Sequence, residues 1–473
     1  MFSILFRQKF NNGCGGYFLR VASQYHKNRI DQPPRVEPEA LQPSTAKDLD
    51  FLEYKLAFQA KGTGDIIRAL VVLRLCGFQI LVNNAEKLLG LSRSILGRRF
   101  SNFLIKKTIY NQFVGGENVE NLRKCERDLS QAGIGLLLAM PIEEDHGEKS
   151  SEGRYEDNLQ AMLESVKLAA QFGGKYPMMQ LKITALMPGE LVTKITEIIG
   201  RNNDNVPLDM VAEMMARGKP QNLAPMSEAE NDKFFRGMKR LNDVCQHAKE
   251  MNVTIMVDAE YTYMNPAIRL VTLAMMLNYN AKSPKIWHTY QCYLKAADTE
   301  IMNDMQLIES RGCCFGAKIV RGAYMTKERR LAREKGYPDP VNDSHADTNA
   351  KYDYVVSMLL NRCEQVNRPL KFIIATHNEN SIRTTLRRMK ELDIPPDNDQ
   401  VFFGQLLGMC DQISYPLGKA GYNVFKSIPY GNIDDTIPYL IRRAQENQSV
   451  FKGIRKEKQV LWSVLKTRIT RTY

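Results

Sequence analysis

Tyr439, Arg442, Arg443 and Glu446 stand close together in the run IPYLIRRAQENQSV at 437–450. On a helix, positions three and four apart share a face, so a phenol ring, two guanidinium forks and a carboxylate would converge. Arginine's planar fork stays charged and can grip a carboxylate at two points, which makes the group a candidate clamp for a small anion. A solvated helix laced by Arg and Glu pairs would carry the same letters. What else the fold brings to this helix decides between the two.

Eight short β-rich runs recur along the chain, at 134–140, 179–186, 253–260, 286–293, 314–324, 370–378, 401–409 and 423–431. Longer segments with apolar residues at helical spacing separate them. The alternation predicts an α/β fold, a (β/α)8 barrel with its active site at the carboxyl ends of the strands. An open doubly wound sheet is the rival, but no G-x-G-x-x-G follows any run. Residues 31–130 read as a helical region ahead of a barrel at 131–465, which carries an insertion at 187–235 and is followed by a short tail at 466–473.

The ends of these runs hold Lys182, Asp258, Glu260, Gln291, Lys318, Arg321, Tyr324, Thr376, His377, Asn378 and Ser427. Each alone has a plain structural reading: a lysine in an apolar strand snorkels, and Asn378 caps the next helix. Converging on one rim, they describe a positive, aromatic mouth for a small carboxylate and a phosphate-bearing cofactor. There is no nucleophile elbow, no P-loop, and no cysteine–histidine pair with an orienting third group.

Composition narrows the class. Hydrophobic content of 44% and charged content of 25% are those of a globular chain. Nine cysteines with no CxxC, and no histidine at zinc-like spacing from them, predict reduced thiols and no structural metal. The net charge of +12 is compatible with nucleic acid, an anionic membrane or an acidic ligand. Within residues 1–30, five Lys or Arg and no acid accompany Phe, Leu and Ser, the pattern of a mitochondrial presequence rather than a secretory signal. The most apolar stretch, 66–82, contains Arg68 and Arg74 and falls short of the roughly 20 apolar residues a span needs. It is expected to be a packed helix, in a protein that touches a membrane without crossing it.

YLIRRAQEN at 439–447 resembles the Y-L-x-R-R-x-x-E-N signature of the proline dehydrogenase family. KITAL, VDAEYTYMNPA, TYQCYLK, GAKIVRGAY, ATHNENS and FGQLLGMCDQISYPLG resemble that family's strand-end motifs in the same order, over about residues 51–465. The resemblance implies a distorted (β/α)8 barrel around FAD, with the last helix over the mouth. It implies that Arg442, Arg443 and Lys182 bind the carboxylate of a cyclic imino acid, that Tyr324, Leu406 and Tyr439 wall its ring, and that Glu446 holds the arginine helix in register. Asp258 would join the lining. Gln291, Lys318, Val320, Gly322, Ala323, Thr376, His377 and Asn378 would hold FAD, with Lys318 standing where bacterial relatives usually have Arg and Arg321 where Lys is common.

Hydride would pass from the substrate ring to the flavin and electrons onward to a membrane quinone, ubiquinone, on the matrix side of the mitochondrial inner membrane. Proline-oxidising members usually have Tyr where Ser427 stands, and hydroxyproline-oxidising members have Ser. A partly solvated rim serine leaves room for a 4-hydroxyl, so trans-4-hydroxy-L-proline is the expected substrate and L-proline the alternative. On this reading the protein has no nucleic acid partner. Two readings from other classes are an RNA-binding protein, which predicts salt-steep binding and no colour, and a flavin barrel without catalysis.

Overall fold

The computed structural model describes Phe58 and residues 61–142, 151–201, 207–363, 369–446 and 455–470. The basic segment 1–30, read as a presequence, lies outside the described residues. Eight strands form the core: β1 Ile134–Ala139, β2 Met178–Leu181, β3 Thr254–Val257, β4 Ile286–Gln291, β5 Gly316–Val320, β6 Lys371–Ala375, β7 Val401–Leu406 and β8 Val424–Pro429. They are all parallel and close in sequential order, with β8 returning to β1. The expected (β/α)8 barrel is the fold observed. Each strand is shorter than the apolar run that announced it: β2 stops at Leu181, so Lys182 lies just beyond it, ahead of a 3₁₀ turn at Ile183–Ala185.

Side chains alternate along a strand, and this fixes what the barrel interior presents at each level. Leu137, Met178, Met256, Trp287, Ile373, Phe402 and Phe425 form one buried apolar cluster. Gly316 sits at the same level, where a Cβ would stand 2.2 Å from Trp287 Cδ1, so only glycine lets the indole lie there. Two residues further on, the same faces carry Gln180, Asp258, Thr289, Lys318 and Ser427. A dry aromatic floor thus gives way to a polar layer at the carboxyl ends.

Helices lead into the barrel: α1 Thr63–Cys76, α2 Gln79–Asn83, α3 Ala85–Leu96 and α4 Arg98–Ile105, then a π-helical turn at Lys106–Tyr110, a short turn at Asn111–Phe113 and a helix at Val119–Ser130 that runs up to β1. The stretch 66–82, expected to be packed, is so on one face only. Ile66, Ala69, Val72 and Leu73 are buried, whereas Ile67, Val71, Phe78 and Ile80 are exposed. Between β2 and β3 lie helices Gly189–Arg201, Leu208–Arg217 and Glu228–Glu250. The third opens on a capping box in which Ser227 and Glu230 satisfy each other's backbone N–H.

After β8 comes the arginine helix, Ile433–Glu446, and then a C-terminal helix, Arg455–Thr470, which packs on α1. The arginine helix is therefore not the last in the chain. The C-terminal helix also takes in most of the tail expected from 466.

Candidate active site

The arginine helix is positioned by its own cap and by the N-terminal helices. Asn432 Oδ1 accepts from the N–H groups of Asp434 and Asp435 at 2.9 and 3.0 Å, satisfying two of the helix's first donors. Arg93 and Arg98 each donate to the Asp434 carboxylate at 2.8 Å. The Tyr110 hydroxyl donates to Gly431 O at 2.6 Å, and Gln445 Nε2 donates to Val82 O at 3.3 Å.

Between this helix, the N-terminal helices and the ends of β7 and β8 lies a cavity of about 350 Å³. Leu406, Ser427, Tyr439 and Arg443 all line it. One turn apart, the Arg443 guanidinium carbon stands 5.5 Å from the centre of the Tyr439 ring. Of the other residues expected at the substrate, Lys182, Tyr324 and Arg442 are not among the described residues lining this cavity. The Glu446 side chain lies outside the described residues.

The polar layer of the barrel is closely knit. Lys318 is buried and its ammonium is 2.5 Å from Asp258 Oδ1. Asp258 N donates to Leu181 O at 2.8 Å, which draws Asp258 beside the residue preceding Lys182. Gln291 Nε2 donates to Glu260 O at 2.9 Å, and the Glu260 carboxylate accepts from Thr184 Oγ1 at 2.7 Å. Ser427 differs from expectation: at 9% exposure it is a buried residue, and its hydroxyl accepts from Gln180 Nε2 at 2.9 Å.

At the ends of β5 and β6, Arg321 is a hub. It reaches Asn349 Oδ1 at 2.9 Å, Thr376 Oγ1 at 2.6 Å and Ser381 Oγ at 2.8 Å, and its guanidinium carbon is 4.2 Å from the Tyr352 ring centre. Thr376 Oγ1 also accepts from Asn378 N at 3.1 Å. His377 Nε2 accepts from Leu406 N at 3.1 Å, and burial lowers the imidazole's pKa to about 3. The ring is therefore neutral and carries its proton on Nδ1.

Asn378 Oδ1 caps helix Glu379–Glu391 through the N–H groups of Asn380 and Ser381, so the capping alternative holds for this oxygen. Tyr324 packs on Tyr261 with ring centres 4.3 Å apart. Beyond Val320 the chain turns at Gly322, where φ is +122° and a Cβ would fall 1.6 Å from the Tyr293 ring. Tyr293 is itself buried, with a hydroxyl that has no hydrogen-bond partner among the described residues.

Three residues of this region escape sequence reasoning: Gln180, Tyr293 and Lys426. The first two lie in or beside the strand-end motifs, and strand alternation from Met178 puts Gln180 on the interior face without naming its partner there. Lys426 carries the signal that drew attention to Lys182, a lysine inside an apolar strand. It points away from the barrel interior, to Asp411 Oδ1 at 2.8 Å.

A sequential eight-stranded barrel whose mouth is roofed by an arginine-bearing helix defines a class. The family profile described as Proline dehydrogenase matches residues 122–456. A hydroxyproline dehydrogenase of Xenopus laevis is 43% identical over 462 residues, covering 96% of this chain and 98% of its own. The mitochondrial proline dehydrogenase 1 of Homo sapiens is 30% identical over 540 residues, covering 89% and 90%. Among solved structures, proline utilization A from Bdellovibrio bacteriovorus, inactivated by N-propargylglycine, superposes with a TM-score of 0.59 at 18% identity. That match covers 90% of this chain but only 42% of the bacterial one, so it speaks for the fold alone. The chain belongs to the proline dehydrogenase family and is an enzyme of it.

Proposed function

We propose that the protein oxidises trans-4-hydroxy-L-proline to 1-pyrroline-3-hydroxy-5-carboxylate, with FAD as hydride acceptor and a membrane quinone as the final acceptor, in the mitochondrion. The reading rests above all on one observation: Ser427, Leu406, Tyr439 and Arg443 line a single cavity at the barrel mouth. The greater identity to the Xenopus laevis hydroxyproline dehydrogenase than to the human proline dehydrogenase supports the same substrate.

In this reading Arg442, Arg443 and Lys182 hold the substrate carboxylate, while Tyr439, Leu406 and Tyr324 wall the ring. Asp258 fixes Lys318 in the polar layer. Ser427 already accepts from Gln180, so its own proton is available to the oxygen of a 4-hydroxyl. No group needs to act as a strong acid or base, because alignment is the chain's main contribution.

The donors at the strand ends fit FAD. Gln291, Lys318, Thr376 and the N–H at His377 Nδ1 would hold it together with the backbone turn Val320–Ala323, and the buried Tyr293 hydroxyl, which has no partner among the described residues, would be a further polar contact for it. Asn378 would contribute through atoms other than its capping oxygen. When bound, FAD supplies the two-electron acceptor.

Two experiments follow. Ser427→Tyr fills the volume proposed for the 4-hydroxyl, so kcat/KM for hydroxyproline falls while that for L-proline is unchanged or improved. The selectivity shift is about 10- to 200-fold, or larger if the buried hydroxyl bonds the substrate directly. Steady-state titrations of both proteins with both substrates measure it. Equal shifts for both substrates, or a wild type that prefers proline, would return the assignment to proline oxidation.

Gly322→Ala drives a methyl group into the Tyr293 ring from a backbone that L side chains rarely adopt. The purified variant should lose its flavin absorbance with the barrel still folded by circular dichroism. Full flavin content would remove this turn from the cofactor site.

A further inference from the structure

Among the described residues, nineteen large hydrophobic side chains stand exposed, and thirteen of them fall between Ile67 and Leu104. Helix α3 has no buried residue at all, and α4 buries only Ser101. Ile80 is 78% exposed, Ile95 70% and Phe100 52%. Such a concentration on adjoining helices marks a surface that is covered in use. The charge around it is one-sided: residues 63–107 hold eight Lys or Arg against two Asp or Glu. Arg74, Lys87, Arg99 and Lys107 are exposed among the apolar residues.

We infer that helices α1–α4 form a face that seats on an anionic phospholipid surface, with the apolar side chains entering the interface and the cations meeting the headgroups. An interfacial helix needs this combination of apolar stripe and basic flank. A second copy fits less well, because a two-fold contact would set the same basic face against itself. The basic first 30 residues meet the same repulsion. Among the described residues no helix is long and apolar enough to cross a bilayer.

The face also explains the cavity beneath it. Leu75, Leu81 and Leu88 belong both to the exposed surface and to the cavity lining, whose far wall carries Ser427, Tyr439 and Arg443. Seated on lipid, the cavity opens towards hydrocarbon. This inference rests on the proposed oxidation for its meaning: the imino acid gives up two electrons and two protons, and a lipid-soluble quinone taking up both becomes its quinol. The docking itself stands independently of that chemistry.

The test uses the purified full chain and vesicles of phosphatidylcholine alone or mixed with cardiolipin. Wild type should sediment with the anionic vesicles, less so as salt rises, and remain largely free of the neutral ones. The double variant Ile80→Glu with Phe100→Glu should bind the anionic vesicles at least about 10-fold more weakly. Its oxidation of hydroxyproline with a water-soluble dye acceptor should be unchanged, while its rate with a long-chain quinone in vesicles falls. The inference is overturned if wild type stays in the supernatant with both vesicle types, if the double variant binds like wild type, or if light scattering shows a wild-type dimer that the same substitutions dissolve. Vesicle binding without dye reduction would instead defeat the proposed function and leave the docking face standing.

Discussion

Lys426→Met should lower the free energy of unfolding by about 3–5 kcal/mol, the cost of breaking a buried ion pair by removing one partner. Lys426 has 0% exposure. Its ammonium donates to Asp411 Oδ1 at 2.8 Å, Met409 O at 2.5 Å and Leu406 O at 3.3 Å. Methionine nearly matches its volume, so the loss is electrostatic and not a cavity. Among the described residues Asp411 would keep Lys61 as its one cationic partner, and the Met409 carbonyl would lose its donor, while Leu406 O keeps Met409 N.

The cost depends on pH. Burial raises the Asp411 pKa, but Lys426 and Lys61 outweigh it and hold the carboxyl at about 2, below its ordinary 3.8. That depressed value stabilises the fold above pH 3.8, and the contribution is lost as pH falls towards 2. Nearby Glu457, also buried, is pushed up to about 7 by burial and by Asp411. Its contribution is full below 4.5 and is lost as pH rises through 7. Without Lys426, two carboxylates face one ammonium at alkaline pH, so the penalty should be larger at about pH 8 than at about pH 5. Urea titrations at the two pH values measure it. A loss below about 1 kcal/mol would mean the pair behaves as a surface bridge.

The barrel was legible because period-2 apolar runs and helical spacing are local signals. Strand ends were not. The fifth run extends to Tyr324, but β5 stops at Val320, ahead of the turn at Gly322, and the half-buried Arg321, Gly322 and Ala323 follow before Tyr324 is buried again. A buried aromatic past the turn lengthens the run without lengthening the strand. Ser427 was expected at a wet rim and is buried against Gln180, a contact 247 positions away along the chain. The Lys61–Asp411–Lys426 cluster was invisible for the same reason, since a charge in an apolar strand announces a partner without saying where it lies. The stretch 66–82 failed differently. Apolar on several faces, it carried no period that could tell a fully packed helix from one with a face left open. The arginine helix was the opposite case, with spacing that sets Tyr439 and Arg443 one turn apart, as the structure has them.

Replacing Arg443 or Arg442 by lysine should raise KM for the imino acid while flavin content stays full. A hydrogen bond to a charged group contributes about 1.5–3 kcal/mol, so kcat/KM should fall by roughly 10- to 150-fold. Lysine keeps the charge but presents a point donor in place of a planar fork. At Arg443 it also gives up the approach to the Tyr439 ring, so the larger loss is expected there; Arg443 lines the cavity with Ser427, and Arg442 does not. A change in KM alone has other causes, and the carboxamide analogue of the substrate separates them. If the fork grips the carboxylate, wild type should lose with the carboxamide about what Arg443→Lys loses with the acid. The variant should then discriminate little between the two compounds, because side chain and substrate group form one interaction and their losses do not add. If the losses add in full, the arginine acts elsewhere, on the helix or its packing. Unchanged KM in both variants removes the clamp.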